Sequence, residues 1–241
     1  MSDPINPYAS PLADLTPAPG VQWVQDVSPS LRQTGIGLTL VYYGIVLVFL
    51  TILVFMFGGF LAADAGGAIL VLVAGAAGIG MVMACILLLA GPLVCLAVPA
   101  QSGARPYIIG SVVFQLVNIC YAVFSQFVPV EIPPAAALVL NLLGVTGAVL
   151  FILFMKKLAE YIGRKRLAAR ARNLLVTLGV LVVLGAALGA AAIVGALQEL
   201  PEETLLPVFG VLGLGLFVVG LIAFVMYANL VNALRKALRR R

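Results

Sequence analysis

The segment 155–172 reads MKKLAEYIGRKRLAARAR, and it is the only internal part of the chain that is dense in charge. Long apolar runs lie on both sides of it. Basic residues beside an apolar helix mark the end of that helix that stays on the cytoplasmic side of a membrane. The segment therefore predicts how its two flanking helices are oriented, and the remaining helices follow by alternation.

The composition indicates a membrane protein before any span is counted. Apolar residues make up 63% of the 241 residues, charged residues make up 10%, and the mean hydropathy is +1.18. A soluble domain carries about 25% charged residues, so a chain this apolar needs lipid as its solvent. We expect an all-α, polytopic integral membrane protein, because helices satisfy their backbone hydrogen bonds internally in lipid.

The apolar runs are long enough for six transmembrane helices, since about 20 apolar residues cross a hydrocarbon core of about 30 Å. Gly91 and Pro92 are expected to kink or end the second helix, because proline lacks the N–H that a helix interior uses. Short gaps between the runs predict antiparallel hairpins. The six-helix domain is predicted at 31–234, with spans at about 35–63, 68–90, 107–128, 135–155, 174–197 and 205–233.

The two ends of the chain have different compositions. Residues 1–30 contain six of the 14 prolines, three acids and no basic residue. This composition is typical of a disordered tail, and it lacks the basic and apolar regions of a signal peptide. Residues 235–241 are predicted to form a basic C-terminal tail.

The distribution of charge predicts the topology. With these spans, all 14 basic residues fall on one side of the membrane. The positive-inside rule then places both termini in the cytoplasm, and we expect the membrane to be a bacterial inner membrane. The loops on the opposite side hold acids and no basic residue: Asp64, Glu131, Glu199, Glu202 and Glu203.

The basic segment supports two interpretations. In the favoured one it sets topology alone: the fourth helix continues into the cytoplasm and Gly163 ends it. In the other it binds anionic lipid headgroups, each Lys or Arg gaining about 1 kcal/mol near such a surface. Nucleic acid is not an expected partner, because no aromatic residues are interleaved with the charges. The candidate lipid contacts are Lys156, Lys157, Arg164, Lys165, Arg166, Arg170 and Arg172.

The third span carries five uncharged polar residues within roughly a 100° arc of the helix. Lipid cannot satisfy these groups, so they are expected to face protein or water. We favour hydrogen bonding to the fourth span, at Asn141 or Thr146. The alternative is a polar cavity for a neutral solute or a lipid headgroup. The candidate residues are Ser111, Gln115, Asn118, Ser125, Gln126 and Asn141.

Residues suited to catalysis or coupled transport are missing from the spans. No ionisable residue lies near the centre of a span, and the chain has no histidine. Such residues usually mark proton relays and ion pathways inside membranes. We therefore predict no enzyme activity, no catalytic residue, no metal site and no cofactor. The three cysteines, Cys85, Cys95 and Cys120, are expected to act as small apolar packing residues.

Small residues predict close helix packing. Gly185 and Gly189 have the GxxxG spacing that lets backbones approach in lipid. Further glycines add to the pattern: Gly75, Gly78, Gly80, Gly210, Gly213, Gly215 and Gly220. Packing within the molecule is favoured over a homodimer face.

Several short motifs resemble one bacterial group. Residues 6–11 read NPYASP, like the NPYxSP opening of proteins from planctomycete-type bacteria, and 37–47 read GLTLVYYGIVL, similar to the first span of uncharacterised multipass membrane proteins of that lineage. Residues 96–100, 103–105 and 158–163 resemble other parts of the group. The resemblance implies a multipass topology and no activity or site.

Two functions remain open from the sequence. The first is a structural or interaction (scaffold) component of the cytoplasmic membrane, which contacts lipid and has a second copy or another membrane protein as its partner. The second is a facilitative pathway or binding protein for a neutral small solute or lipid, lined by the third span. We favour the first, because no residue inside the membrane carries coupling chemistry.

Overall fold

The structure is a computed structural model that describes residues 28–65, 67–127, 134–197 and 202–239. Within these ranges it contains no strand, and the all-α prediction is confirmed. Of the predicted tail, only 28–30 lie in the described part, and they are helical. The helices are α1 (Ser28–Ala65), α2 (Gly67–Cys95), a 3₁₀ turn (Ala100–Ser102), α3 (Arg105–Phe127), α4 (Pro134–Tyr161), α5 (Lys165–Leu197) and α6 (Glu202–Arg239).

Five of these helices are long and apolar enough to cross a membrane, which indicates a multi-pass membrane protein. Side chains in α3 are described only as far as Tyr121, so its span stays a prediction, as does the count of six. The five qualifying stretches are Pro29–Gly58, Leu70–Cys95, Val139–Tyr161, Lys165–Ala190 and Gly210–Arg239.

Each of the six helices extends beyond its predicted span at one end or at both. α2 continues through Pro92 to Cys95, so of the two predicted alternatives, a kink or an end, the helix does not end here. A proline removes only one hydrogen bond of the helix, and Pro92 is held in a fully buried position. α5 begins at Lys165 rather than near 174, and α6 continues into the predicted basic tail as far as Arg239.

Consecutive helices pack as the predicted hairpins. α1 packs on α2, α3 on α4 and α5 on α6, while α1 also contacts α6 and α4 also contacts α5. Contact between α2 and α3 is limited. The helices therefore follow one another around the bundle in the order α2, α1, α6, α5, α4, α3.

The most extensive helix contact, between α1 and α2, is built on small residues. A Cβ atom placed on Gly37 would lie 2.6 Å from the carbonyl oxygen of Gly91, so the two backbones touch. A seven-residue spacing keeps one helix face turned toward a partner, and small side chains let the backbones approach. The small residues of α1 that contact α2 are Gly37, Gly44, Thr51 and Gly58.

Burial changes along the bundle. All the largest fully buried side chains, including Phe151 and Phe154, lie in residues 28–45, 84–112, 151–174 and 223–239, which together we term the packed end. Beyond it, large apolar side chains are mostly exposed, as Val211 is with 72% of its surface accessible. A helix that is apolar on its exposed surface is typical of a membrane span.

The basic residues lie at the packed end. All twelve Lys and Arg residues of the described chain fall within its four ranges. The prediction that these basic residues share one side of the bundle therefore agrees with the structure, while the compartment that this side faces stays a prediction.

The predicted packing of the GxxxG motif is wrong. A Cβ atom placed on Gly185 or Gly189 would meet no atom within 4 Å, and the same holds for Gly75, Gly78 and Gly210. The same holds for Gly213, Gly215 and Gly220. Gly80 is different: a Cβ atom placed there would lie 2.6 Å from Oγ1 of Thr51 in α1, so the predicted close packing is confirmed at this glycine.

Candidate functional site

The polar stripe of α3 packs against glycines of α4. Ser111 is fully buried, and its hydroxyl donates a 2.9 Å hydrogen bond to the carbonyl oxygen of Gly147. Asn118 lies so close to Gly144 that a Cβ atom there would be 2.6 Å from Nδ2. Gln115 lies one turn from Ser111, with its Cγ 3.9 Å from the Cβ position of Gly147. The stripe is therefore part of a helix interface.

Neither predicted partner in α4 bonds to Ser111, whereas a bond from Asn141 to Ser125 or Gln126 stays a prediction. Thr146 is exposed and donates a 2.7 Å hydrogen bond to the carbonyl oxygen of Leu142 in its own helix. Asn141 is exposed as well. The partner at Ser111 is a backbone carbonyl, which is accessible because Gly147 has no side chain to cover it. The side chains of Ser125 and Gln126 lie outside the described residues.

One atom of this interface lacks a partner. Oε1 of Gln115 is buried, and no hydrogen bond reaches it from the described residues. A buried acceptor without a donor costs about 1–3 kcal/mol. This atom is the observation that favours the alternative of a polar cavity at the α3–α4 interface.

A second candidate site begins at the turn between α4 and α5. The N–H of Gly163 donates to the carbonyl oxygen of Glu160, and the N–H of Arg164 donates to that of Ala159. Gly163 has a φ of 71°, which suits glycine because it lacks a Cβ atom. Together these features form a Schellman motif, which ends α4 and allows α5 to begin at Lys165. The prediction that Gly163 ends the fourth helix is confirmed.

This turn, the start of α5 and the end of α6 line an open groove of about 610 Å³, which we term the cationic groove. Ligand pockets usually measure about 300–1,000 Å³. Its less exposed lining residues are Leu167, Ala233 and Ala237. Its cations, all exposed, are Arg164, Lys165, Arg166 and Arg170 from the α4–α5 segment and Lys236 from α6.

The start of α5 adds to the positive potential of the groove. The N-terminus of a helix carries a partial positive charge, which acidic side chains in the first turn normally offset. The first turn of α5 has no acidic residue, and Arg164, Lys165 and Arg166 lie there instead. Several positive charges are thus concentrated at one place.

Four of the seven predicted lipid contacts line the groove, namely Arg164, Lys165, Arg166 and Arg170. Lys156 and Lys157 lie 3.9 Å and 3.1 Å from the carboxylate of Glu160 and form ion pairs with it. These two lysines and Arg172 are not among the lining residues of the groove. Lys236 was not among the predicted contacts. Residues equally distant from the turn of a helical hairpin lie level with each other. Because Lys236 and Arg166 are at nearly equal distances from the turn between α5 and α6, this signal was present in the sequence.

Arg235 is held away from the groove by contacts within the bundle. Its guanidinium lies 4.1 Å from the ring centroid of Tyr42 in α1, and its Nε donates a 3.0 Å hydrogen bond to Oδ1 of Asn232. A cation–π contact is worth about 0.5–2 kcal/mol. Arg235 therefore joins α6 to α1.

Metal-ligating side chains are not grouped in the described part of the chain. The three cysteines are free: Cys95 is buried as predicted, whereas Cys85 and Cys120 are exposed. No protein-family model, curated protein or solved structure matches the chain.

Proposed function

We propose that this protein is a structural or interaction component of the cytoplasmic membrane, and that its packed end is the interaction surface. The supporting observation is the contrast between the two parts of the bundle. The packed end combines a dense core with the described basic residues, whereas the spans present apolar side chains outward. A scaffold needs a well-ordered surface that a partner recognises, and no catalytic step is assigned to it.

The proposal includes a topology and a set of partners. Six spans cross the membrane with both termini in the cytoplasm, because the basic residues share one side. Lipid surrounds the spans, anionic headgroups lie near the basic side, and a second copy or another membrane protein binds the packed end. The planctomycete-type motifs of the sequence fit a bacterial inner membrane and stay a prediction.

Photocrosslinking in cells tests this proposal. A photoreactive residue at Gln101, which is exposed in the α2–α3 connection of the packed end, is expected to give discrete protein adducts. The matched control is Phe217, which is 64% exposed on the apolar surface of α6 and is expected to give lipid adducts only. The adducts are separated by mass.

The outcome depends on position and on orientation. A Gln101→Cys variant without the native cysteines should resist an impermeant thiol reagent in intact cells and react after permeabilisation. If exposed positions of the packed end give no protein adduct, the interaction role is wrong. Labelling of Gln101→Cys in intact cells would overturn the orientation instead.

The alternative is a facilitative pathway for a neutral solute or lipid along α3, and Oε1 of Gln115 favours it. Single cysteines at Gln115 and Asn118 test it by thiol labelling in intact cells. Because both side chains pack on α4, we expect no labelling at either position. An Asp64→Cys variant, at the opposite end of α1, should react and serves as the positive control. Labelling at both interface positions would mean that water reaches the interface and would support a pathway.

A further inference from the structure

The cationic groove has a chemistry that the proposed function leaves unspecified. Five cations from two parts of the chain line it, and no acid of the described residues lies among its lining residues. We propose that this groove binds phosphate groups, carried by the headgroup of an anionic phospholipid or by a soluble phosphate compound. The inference rests on the proposed role of the packed end as an interaction surface and names the ligand class of one part of it.

No acidic side chain of the described residues neutralises the cations of the groove. Three cations elsewhere at the packed end do have partners: Lys156 and Lys157 pair with Glu160, and Arg235 contacts Tyr42. Among the described residues, no carboxylate forms an ion pair with a cation of the groove. Like charges at the start of a helix oppose both one another and the helix dipole. Sites where a sequence breaks such a local rule are often functional, and a bound anion would remove both repulsions.

The groove is also geometrically complementary to phosphate. Arginine presents a planar fork that binds phosphate oxygens through two parallel N–H donors, and Arg164, Arg166 and Arg170 line the groove. The first N–H groups of a helix lack acceptors within the helix, and α5 begins in the groove at Lys165. Helix starts of this kind bind phosphate. Side chains from two helices and a helix start therefore offer donors to the same anion.

The groove also lies close to the level at which lipid headgroups are expected. Val176 is the first exposed large apolar residue of α5, and Arg170 lies six residues before it, about 9 Å along the helix axis. The polar layer on each side of a bilayer is about 5–7 Å thick, and an arginine side chain extends its charge away from its backbone. The part of the groove at Arg170 is therefore near the level of the headgroups, and the part at Arg164, farther from the apolar surface, is open to soluble anions.

Binding to the purified full-length protein in neutral detergent tests the inference. The probes are a short-chain phosphatidylglycerol, a phosphatidylcholine with the same chains, and inorganic pyrophosphate. The groove variant is R164Q/R166Q/R170Q, and the matched control is R32Q/R105Q/R239Q, which removes the same charge from exposed positions outside the groove. We expect the groove variant to bind anionic probes about a hundredfold more weakly and the control to retain wild-type affinity.

A single substitution covers the case in which the triple variant does not fold. Lys236→Gln, on the other helix, is expected to weaken binding about fivefold. Preference for phosphatidylglycerol without competition by pyrophosphate identifies a lipid as the source of the phosphate, and competition identifies a soluble compound. Equal losses in the two triple variants, or no preference of the wild type for an anionic probe, would overturn the inference. Binding in detergent needs neither a protein partner nor an orientation, so its failure is distinguishable from failure of the crosslinking test.

Discussion

Replacing Gly37 by valine should destabilise the helical bundle by about 3 kcal/mol, at the upper end of the usual cost of overpacking. A Cβ atom at this position would lie 2.6 Å from the carbonyl oxygen of Gly91 and 2.9 Å from the backbone nitrogen of Cys95. Backbone atoms cannot rotate away as a flexible side chain does. The two helices therefore have to separate, which disrupts their packing along the whole contact.

The matched control is Gly189→Val, where an added Cβ atom meets nothing within 4 Å. Surface substitutions of this kind usually change stability by no more than about 0.5 kcal/mol. Both variants are compared with the wild type by unfolding in mixed detergent micelles with increasing sodium dodecyl sulfate. Equal stability of the two variants would show that α1 and α2 are not in backbone contact at Gly37.

Truncating Phe154 to alanine is expected to cost about 3–5 kcal/mol. Phe154 is fully buried in the packed end, and its ring centroid lies 5.6 Å from that of Phe151. The substitution removes apolar contacts and leaves a cavity that the neighbouring helices fill only in part. We expect the largest loss of stability among single truncations to occur in this region.

Phe217→Ala is the control, because it removes the same atoms from a side chain that is 64% exposed. The thermal unfolding midpoint in neutral detergent should fall strongly for Phe154→Ala and little for Phe217→Ala. If the two midpoints fell equally, the core would extend along the spans, and the distinction between the packed end and the rest of the bundle would be wrong.

Much of the architecture follows from local chemistry, and it was therefore predictable. Apolar runs require helices in lipid, so the helical class and the approximate place of each helix could be predicted from the sequence. The role of Gly163 could also be predicted, because a glycine between two helical segments readily takes the positive φ of a helix C-terminus. The grouping of basic residues followed from alternation along short connections.

The candidate sites were predictable only in part. The polar arc of α3 was visible because helical periodicity fixes which residues share a face, but its partner was not. The sequence pointed to polar side chains at Asn141 and Thr146, whereas Ser111 bonds to the backbone of Gly147. Every residue has a backbone carbonyl group, so the sequence does not show which one accepts a hydrogen bond. Only the relative rotation of α3 and α4 determines that it is the carbonyl of Gly147.

The glycines also show that the sequence does not identify which helix faces are in contact. The GxxxG spacing of Gly185 and Gly189 predicted a packed face and was wrong, while the seven-residue spacing of Gly37 and Gly44 marked the actual contact. Small residues permit close approach without requiring it, and whether a face is covered depends on where the neighbouring helix lies.

The sequence by itself determined that this protein is helical, that it is suited to a membrane and that its positive charge is gathered on one side, because these properties depend on composition and on periodicity along one helix. Tertiary structure alone decided that α1 and α2 touch through glycines, that the core is confined to the packed end, and that Lys236 joins Arg164 and Arg170 in one groove. Those outcomes depend on the rotation and offset of one helix against another. Many side-chain pairs of similar energy compete to set them, so no local pattern specifies them.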